Sequence, residues 1–109
     1  MKYEAGLLIR QAAEQFGDRP ALTFDGRHTS FRDLNASANT VGSGLATLGA
    51  QRGDRVALLS KNRPEVVQTW LACEKFALVR VALHSHNPWS DHIALLNHVE
   101  ATGLIFDTA

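Results

Sequence analysis

Histidine is the densest source of reactive side chains in this sequence: His84, His86, His92 and His98 fall close together, with Asp91 beside His92. His84 and His86, one residue apart, would point the same way from the end of a strand, and neutral imidazoles are the usual nitrogen ligands of zinc. Zinc needs more than that. No cysteine or glutamate completes a ligand spacing, and six residues along a helix would set His92 and His98 on different faces. These histidines therefore read as polar-loop and surface residues, and no metal ligand is assigned.

The other candidates reduce to structure as well. Cys73 lies mid-helix between Ala72 and Glu74 with no base at helical spacing, so it reads as a buried spectator rather than a reactive thiol. Gly42, Gly44 and Gly49 in GSGLATLG mimic a dinucleotide fingerprint, but they fall inside a helical stripe instead of just after a strand, and Thr47 holds the third glycine position. Small residues that let helices approach closely explain them better. Asp54 beside Arg55 reads as turn chemistry and Trp70 as core, whereas for Trp89, in the loop, stacking on a ligand stays open. Asn35, Ala36 and Ser37 form a glycosylation sequon in name only, because they sit within a helix. No catalytic, cofactor-binding or metal-binding residue is assigned.

The elements that would position these residues are clear in the pattern. Phe31, Leu34, Ala38, Val41, Leu45 and Leu48 recur at alternating gaps of three and four, which predicts a long helix with one buried stripe. Ser30 can cap its start, with Asp33 reaching back, and Gly49 can end it in a left-handed turn. An earlier amphipathic helix is predicted over residues 3–16, with Leu7, Leu8, Ala12 and Phe16 as its apolar face. Between the two helices, strands at 21–24 and 27–30 flank Asp25 and Gly26, a hairpin dipeptide that would give the domain an antiparallel edge.

After the polar turn at Gly53 and Asp54, the apolar run 56–59 suits a strand covered on both faces. Pro64 and Glu65 open a helix to about Phe76, with Val66, Val67, Trp70, Leu71 and Phe76 on its apolar face. Residues 78–83 read as a second parallel-type strand. Ser90 would cap a third helix holding Ile93, Leu95, Leu96 and Val99, with Gly103 as its stop and a last strand at 104–106. The fold class is thus α/β: a three-stranded, mainly parallel βαβαβ unit over about 55–107, preceded by an amphipathic helix, a small β-hairpin and a long helix.

With 109 residues the chain makes one domain at most, and 45% hydrophobic with 20% charged residues describes a globular chain rather than a disordered one. Eleven basic residues balance eleven acidic ones without a basic stripe, which argues against nucleic acid as a partner. No window approaches a membrane span, and the polar start argues against a signal peptide. One cysteine excludes an internal disulfide and fits a cytoplasmic setting.

Taken together, TSFRDLNASAN, GLATLGAQRGDRVALLSKNRPE, WLACEKFALVRVAL and the closing LIFD resemble the amino-terminal segment of the adenylate-forming (AMP-binding) enzyme superfamily, which includes acyl-CoA and aryl-CoA synthetases. The resemblance runs from about Leu7 to Asp107 and rests on Thr29 through Leu34, Leu48 with Gly49, the turn from Gly53 to Val56, and Asn62 with Pro64 and Glu65. It implies that residues 1–109 are the amino-terminal subdomain of an AMP-forming acid:thiol ligase, of the acyl-CoA synthetase branch and of fatty acid metabolism.

Such a parent would use ATP and Mg²⁺ to adenylate a carboxylate and coenzyme A to displace AMP. The family's phosphate loop, nucleotide pocket and catalytic lysine lie beyond the matched segment. The segment is therefore expected to hold no cofactor, to be a scaffold inactive alone, and to take the remainder of the parent as its partner. A sheet surface left uncovered would favour homo-oligomers. The alternative expectation is a free-standing, non-enzymatic binding or self-association module on the same scaffold. Two departures stand out. The family usually shows Lys-Ala-Gly-Ala where this chain has Lys75, Phe76, Ala77 and Leu78, and Pro-Leu-Asn where it has Ala82, Leu83 and His84.

Overall fold

The computed structural model describes residues 5–107. The chain runs α1 (Ala5–Phe16), β1 (Pro20–Phe24), β2 (Arg27–Ser30), α2 (Phe31–Thr47), β3 (Arg55–Leu59), α3 (Pro64–Lys75), β4 (Val79–Ala82), α4 (Trp89–His98) and β5 (Gly103–Phe106). The predicted start of the first helix at Tyr3 lies outside the described residues.

Asp25 and Gly26 both take positive φ, 51° and 74°, as a tight hairpin turn demands, and β1 pairs antiparallel with β2. This hairpin is a sheet of its own. It is the small antiparallel pair expected before the long helix. The main sheet has the order β4-β3-β5 and is wholly parallel. β3 lies in the middle, with Val56, Ala57 and Leu58 buried, as its apolar run predicts. Val56 and Leu58 look toward Leu45 of α2 and Val66 of α3. β4 and β5 flank β3 on opposite sides, so right-handed crossovers put α4 on the other face, where the fully buried Ala57 points.

The caps follow local chemistry. The Ser30 hydroxyl accepts the Asp33 N–H at 3.0 Å and starts α2, and Pro64 occupies the first turn of α3. Three helices end alike. In α2, α3 and α4 the chain turns through a left-handed residue, Gly49 (φ 106°), Ala77 (φ 56°) and Glu100 (φ 53°), and the next N–H returns to a carbonyl one turn back. Those bonds are Ala50 to Leu45, Leu78 to Cys73 and Ala101 to Leu96, the wider loop of the Schellman motif. The stop of α4 is thus Glu100, and Gly103 is instead the first residue of β5.

The apolar stripes and the buried faces do not coincide everywhere. α1 buries Gly6, Ile9 and Ala13, while Leu7, Leu8 and Phe16 are exposed. The reason is steric: a Cβ at Gly6 would lie 2.5 Å from the Lys75 Cα, so α1 meets the end of α3 on its smallest residue. α3 buries Thr69, Ala72 and Cys73. Trp70, expected in the core, is 45% exposed; its indole N–H donates to Glu74 at 3.2 Å and Arg80 stacks on its ring. Leu48 lies past the last turn of α2 and is exposed. In α4 only His92 is buried, and the expected core residues Ile93 and Leu95 face outward.

Gly42 is the tightest point between α2 and α3. A Cβ there would come within 2.1 Å of the Phe76 ring, whereas one at Gly44 would meet nothing within 4 Å. The close-packing reading of the glycines therefore holds at Gly42, and Gly49 serves the turn.

These positions define a substitution series with opposite signs. Gly44→Ala is expected to stabilise by up to about 1 kcal/mol through helix propensity. Gly42→Ala gains the same term but forces the Phe76 ring aside, at an overpacking cost of about 1 to 3 kcal/mol, and should destabilise. Ala77→Gly relieves about 1 to 2 kcal/mol of left-handed strain. It loses about 0.4 to 1 kcal/mol to the freer unfolded chain, for a small net gain. Urea unfolding of the three variants measures all three signs.

Candidate functional site

Three parallel strands end on one edge of the sheet, and the residues leaving them there are those a ligand meets first in an α/β protein. β3 gives the loop 60–63, β4 the loop 83–88, and β5 gives Asp107. The register pairs Leu59 with Phe106, which brings the next residues, Ser60 and Asp107, side by side.

Asp107 is the hub. Its Oδ2 accepts the Ser60 hydroxyl at 2.8 Å and the Lys61 backbone N–H at 3.1 Å, with Arg63 Nε at 3.6 Å. The Ser60 hydrogen bond foremost, then the Lys61 N–H, with Arg63 assisting, hold the Asp107 carboxyl below its usual range, against an opposing effect of burial. A cavity of about 320 Å³ opens beside this cluster, walled by Leu58, Val66 and Ile105. Ser60 has no imidazole near it in these contacts, and it shares its one proton between Asp107 and the Lys61 carbonyl, also at 2.8 Å. The base on the hydroxyl is the Asp107 carboxylate, whose lowered pKa makes it a poor proton acceptor, so the geometry does not make Ser60 an activated nucleophile. The cluster ties the exit of β5 to the β3–α3 loop.

The β4–α4 loop brings His84 and His86 together, with ring centroids 5.5 Å apart, and the His86 N–H reaches His84 Nδ1 at 3.4 Å. The other two histidines go elsewhere. His92, expected at the surface, is 4% exposed and packs edge-on against Trp89 at 5.6 Å, while His98 ends α4 in solvent. Trp89 is exposed and is the first residue of α4 rather than part of the loop, and the N-cap is Pro88 instead of Ser90. Among the described residues, no three His, Cys, Asp or Glu side chains are grouped to hold a metal ion.

Cys73 is buried, and that burial pushes its thiol up, with Arg80 only partly offsetting it, so the sulfur stays protonated and inert. Asp54 accepts the Gln51 N–H at 2.8 Å, closing its turn. Asn35 faces Lys75 between helices. No buried side-chain nitrogen or oxygen among the described residues lacks a partner. The Ser60–Asp107 pair escaped the sequence reading because the two are far apart in the chain. The signal for it was the pair of apolar runs LLS and IFD, which align once β3 and β5 are paired.

The hydrogen bonds on Asp107 carry a pH signature. The folded-state pKa lies below the unfolded-state value of about 3.9, so folding favours the ionised form. The stabilisation is complete above that value and is lost as pH falls through the lower folded-state value. Asp107→Asn should therefore be less stable than the parent chain at neutral pH and lose less stability on acidification, as measured by urea unfolding across that acid range.

The AMP-binding enzyme family matches residues 9–109. The medium/long-chain-fatty-acid–CoA ligase FadD6 of Mycobacterium tuberculosis is 33% identical over 85 residues, covering 78% of this chain and 14% of the ligase. The 2,3-dihydroxybenzoate-AMP ligase of Bacillus subtilis is 35% identical over 82 residues, covering 74% and 15% respectively. Among solved structures, the N-terminal subdomain of Klebsiella oxytoca NpsA in complex with 3-hydroxybenzoyl-AMSN superposes with a TM-score of 0.93 at 27% identity, covering 99% of this chain and 28% of that one. This chain spans about a seventh of the length of these curated relatives. A match over nearly the whole sequence, joined to the α/β arrangement found in the N-terminal subdomain of adenylate-forming enzymes, means that the chain belongs to the AMP-binding enzyme family.

Proposed function

We propose that this chain is the amino-terminal scaffold of an ATP-dependent, AMP-forming acid:thiol ligase of the acyl-CoA synthetase branch. The observation that carries the reading is the likeness in fold over 99% of this chain, set against 28% of the NpsA subdomain. The relatives' names pair a carboxylic acid with coenzyme A or with AMP, which supports carboxylate adenylation and thioester formation as the reaction of the whole protein. The lone, buried cysteine supports a cytoplasmic setting, and among the described residues no helix is long and apolar enough to cross a membrane.

The residues present do not fit ATP, Mg²⁺ or coenzyme A. At the sheet edge Asp107 already has an oxygen filled by Ser60, Lys61 and Arg63, Glu65 is the other carboxylate of the cavity there, and no metal-ligating group forms among the described residues. No step of the reaction is derived through these groups. The contribution of this chain is to hold a parallel sheet and its loops in place.

Two measurements test the reading. ATP/pyrophosphate exchange with a panel of carboxylic acids should be absent with the 109-residue chain alone, and exchange above background would refute the scaffold role. Uncovered apolar side chains on the sheet and its helices, Val79, Ile93 and Phe106 among them, support self-association of the isolated chain. Sedimentation across a dilution series should show mass rising with concentration, and a strict monomer would refute that part.

A further inference from the structure

The inner flanks of α1, α2 and the end of α3 enclose a groove of about 630 Å³, away from the loops of the sheet edge. Arg10 and Glu14 line it from one face of α1, Arg32, Asn35 and Asn39 from one face of α2, and Lys75 from the last turn of α3. Three cations from three helices thus share one lining with two side-chain amides. Glu14 is the one carboxylate of the lining, and it lies 3.4 Å from Arg10 in a pair whose side chains are 66% and 68% exposed. An exposed pair of that kind contributes little, so Arg10 turns readily to another acceptor. Arg32 reaches Asp18, which is outside the lining.

Lys75 is the fixed point. Its ammonium donates to Asn35 Oδ1, a neutral acceptor, and that bond leaves the Asn35 NH₂ free to face the groove. The close approach of α1 at Gly6 clamps the Lys75 backbone and the start of its side chain, so little ordering is needed when a ligand arrives. Burial and then the charge of Arg10 lower the Lys75 pKa, which means that the groove resists positive charge and would be relieved by an anion. Guanidinium, ammonium and amide donors converging from several directions suit the oxygens of a tetrahedral dianion better than the two of a carboxylate. The space exceeds that of a single ion.

We infer that the groove between α1, α2 and α3 binds a phosphate group, carried by free phosphate or by a small phosphate monoester. The inference stands apart from the proposed ligase reaction and does not depend on it. The test is a titration of the isotopically labelled chain, at constant ionic strength, with inorganic phosphate and separately with glucose 6-phosphate, following the side-chain amide signals of Asn35 and Asn39. Both probes should give saturable shifts. Arg10→Gln and Lys75→Gln should each weaken binding by about fivefold or more, the loss of one charge-assisted contact. Arg52→Gln, in the turn before β3, should leave it unchanged. Tighter binding of glucose 6-phosphate assigns a monoester and equal binding assigns free phosphate; either upholds the site. Shifts that grow without saturating, or an equal loss in Arg52→Gln, overturn it. Arg10 is exposed, so Arg10→Gln keeps the test decisive even where Lys75→Gln unfolds the chain.

Discussion

The contact of Phe76 with the bare backbone of Gly42 sets the distance between α2 and α3, and most of the molecule is hung from that pair. Around it the buried side chains are small: Ala38 and Ala72 are fully buried and Cys73 nearly so. Small residues let helices approach closely, which strengthens dispersion across the seam but removes little apolar area from water. The larger side chains, Leu8, Trp70, Trp89, Ile93 and Phe106, lie mostly outside it. A chain of 109 residues has too little surface to wrap them all. The result is a tight, narrow core with apolar flanks, and it explains why one methyl group at residue 42 matters more than one at residue 44.

From that seam the sheet inherits its position. α2 and α3 cover Val56 and Leu58, which fixes β3, and β4 and β5 then take their register from β3. Asp107 stands at the end of this chain of dependence. Its hydrogen bonds to Ser60 and Lys61 form only where β3 and β5 are in register, so the carboxylate reports on the pairing of the sheet. The histidines show the same priority of packing over chemistry. His92, the one that the fold buries, is turned against Trp89, and the two that come together, His84 and His86, lack a third ligand among the described residues.

Element type was legible because it depends on local physics: period in α2, the Ser30 cap, Asp25–Gly26 in the hairpin, Pro64 at the start of α3. Which face of an element is covered was not, because period locates apolar residues without saying what lies opposite them. α1 shows this most clearly. Leu7, Leu8 and Phe16 formed the better stripe, yet Gly6, Ile9 and Ala13 face the core, since only glycine fits against Lys75. Trp70 and the face of α4 misled for the same reason. Glu100 was illegible as a helix stop because nothing in its side chain favours positive φ; the returning bond from Ala101 to Leu96 holds it there. The absence of a catalytic residue in the reading followed from chemistry: no serine, cysteine or histidine stood at a spacing that would activate it.

The departures from the family pattern at the end of α3 are best understood as one change rather than two. A phenylalanine at residue 76 fills the space against Gly42, and that contact fixes the helix end one residue before the turn. Residue 77 must then be left-handed, because the Leu78 N–H returns to the Cys73 carbonyl at 2.9 Å and the Ala77 carbonyl accepts the Gly53 N–H at 2.8 Å. A glycine would adopt that conformation without strain; alanine adopts it at a cost of about 1 to 2 kcal/mol, which the surrounding bonds and the Phe76 contact must exceed. The strain therefore persists only while α2 and α3 are docked. An alanine at this turn makes β4, which begins two residues later, dependent on the Gly42–Phe76 seam in a way that a glycine would not.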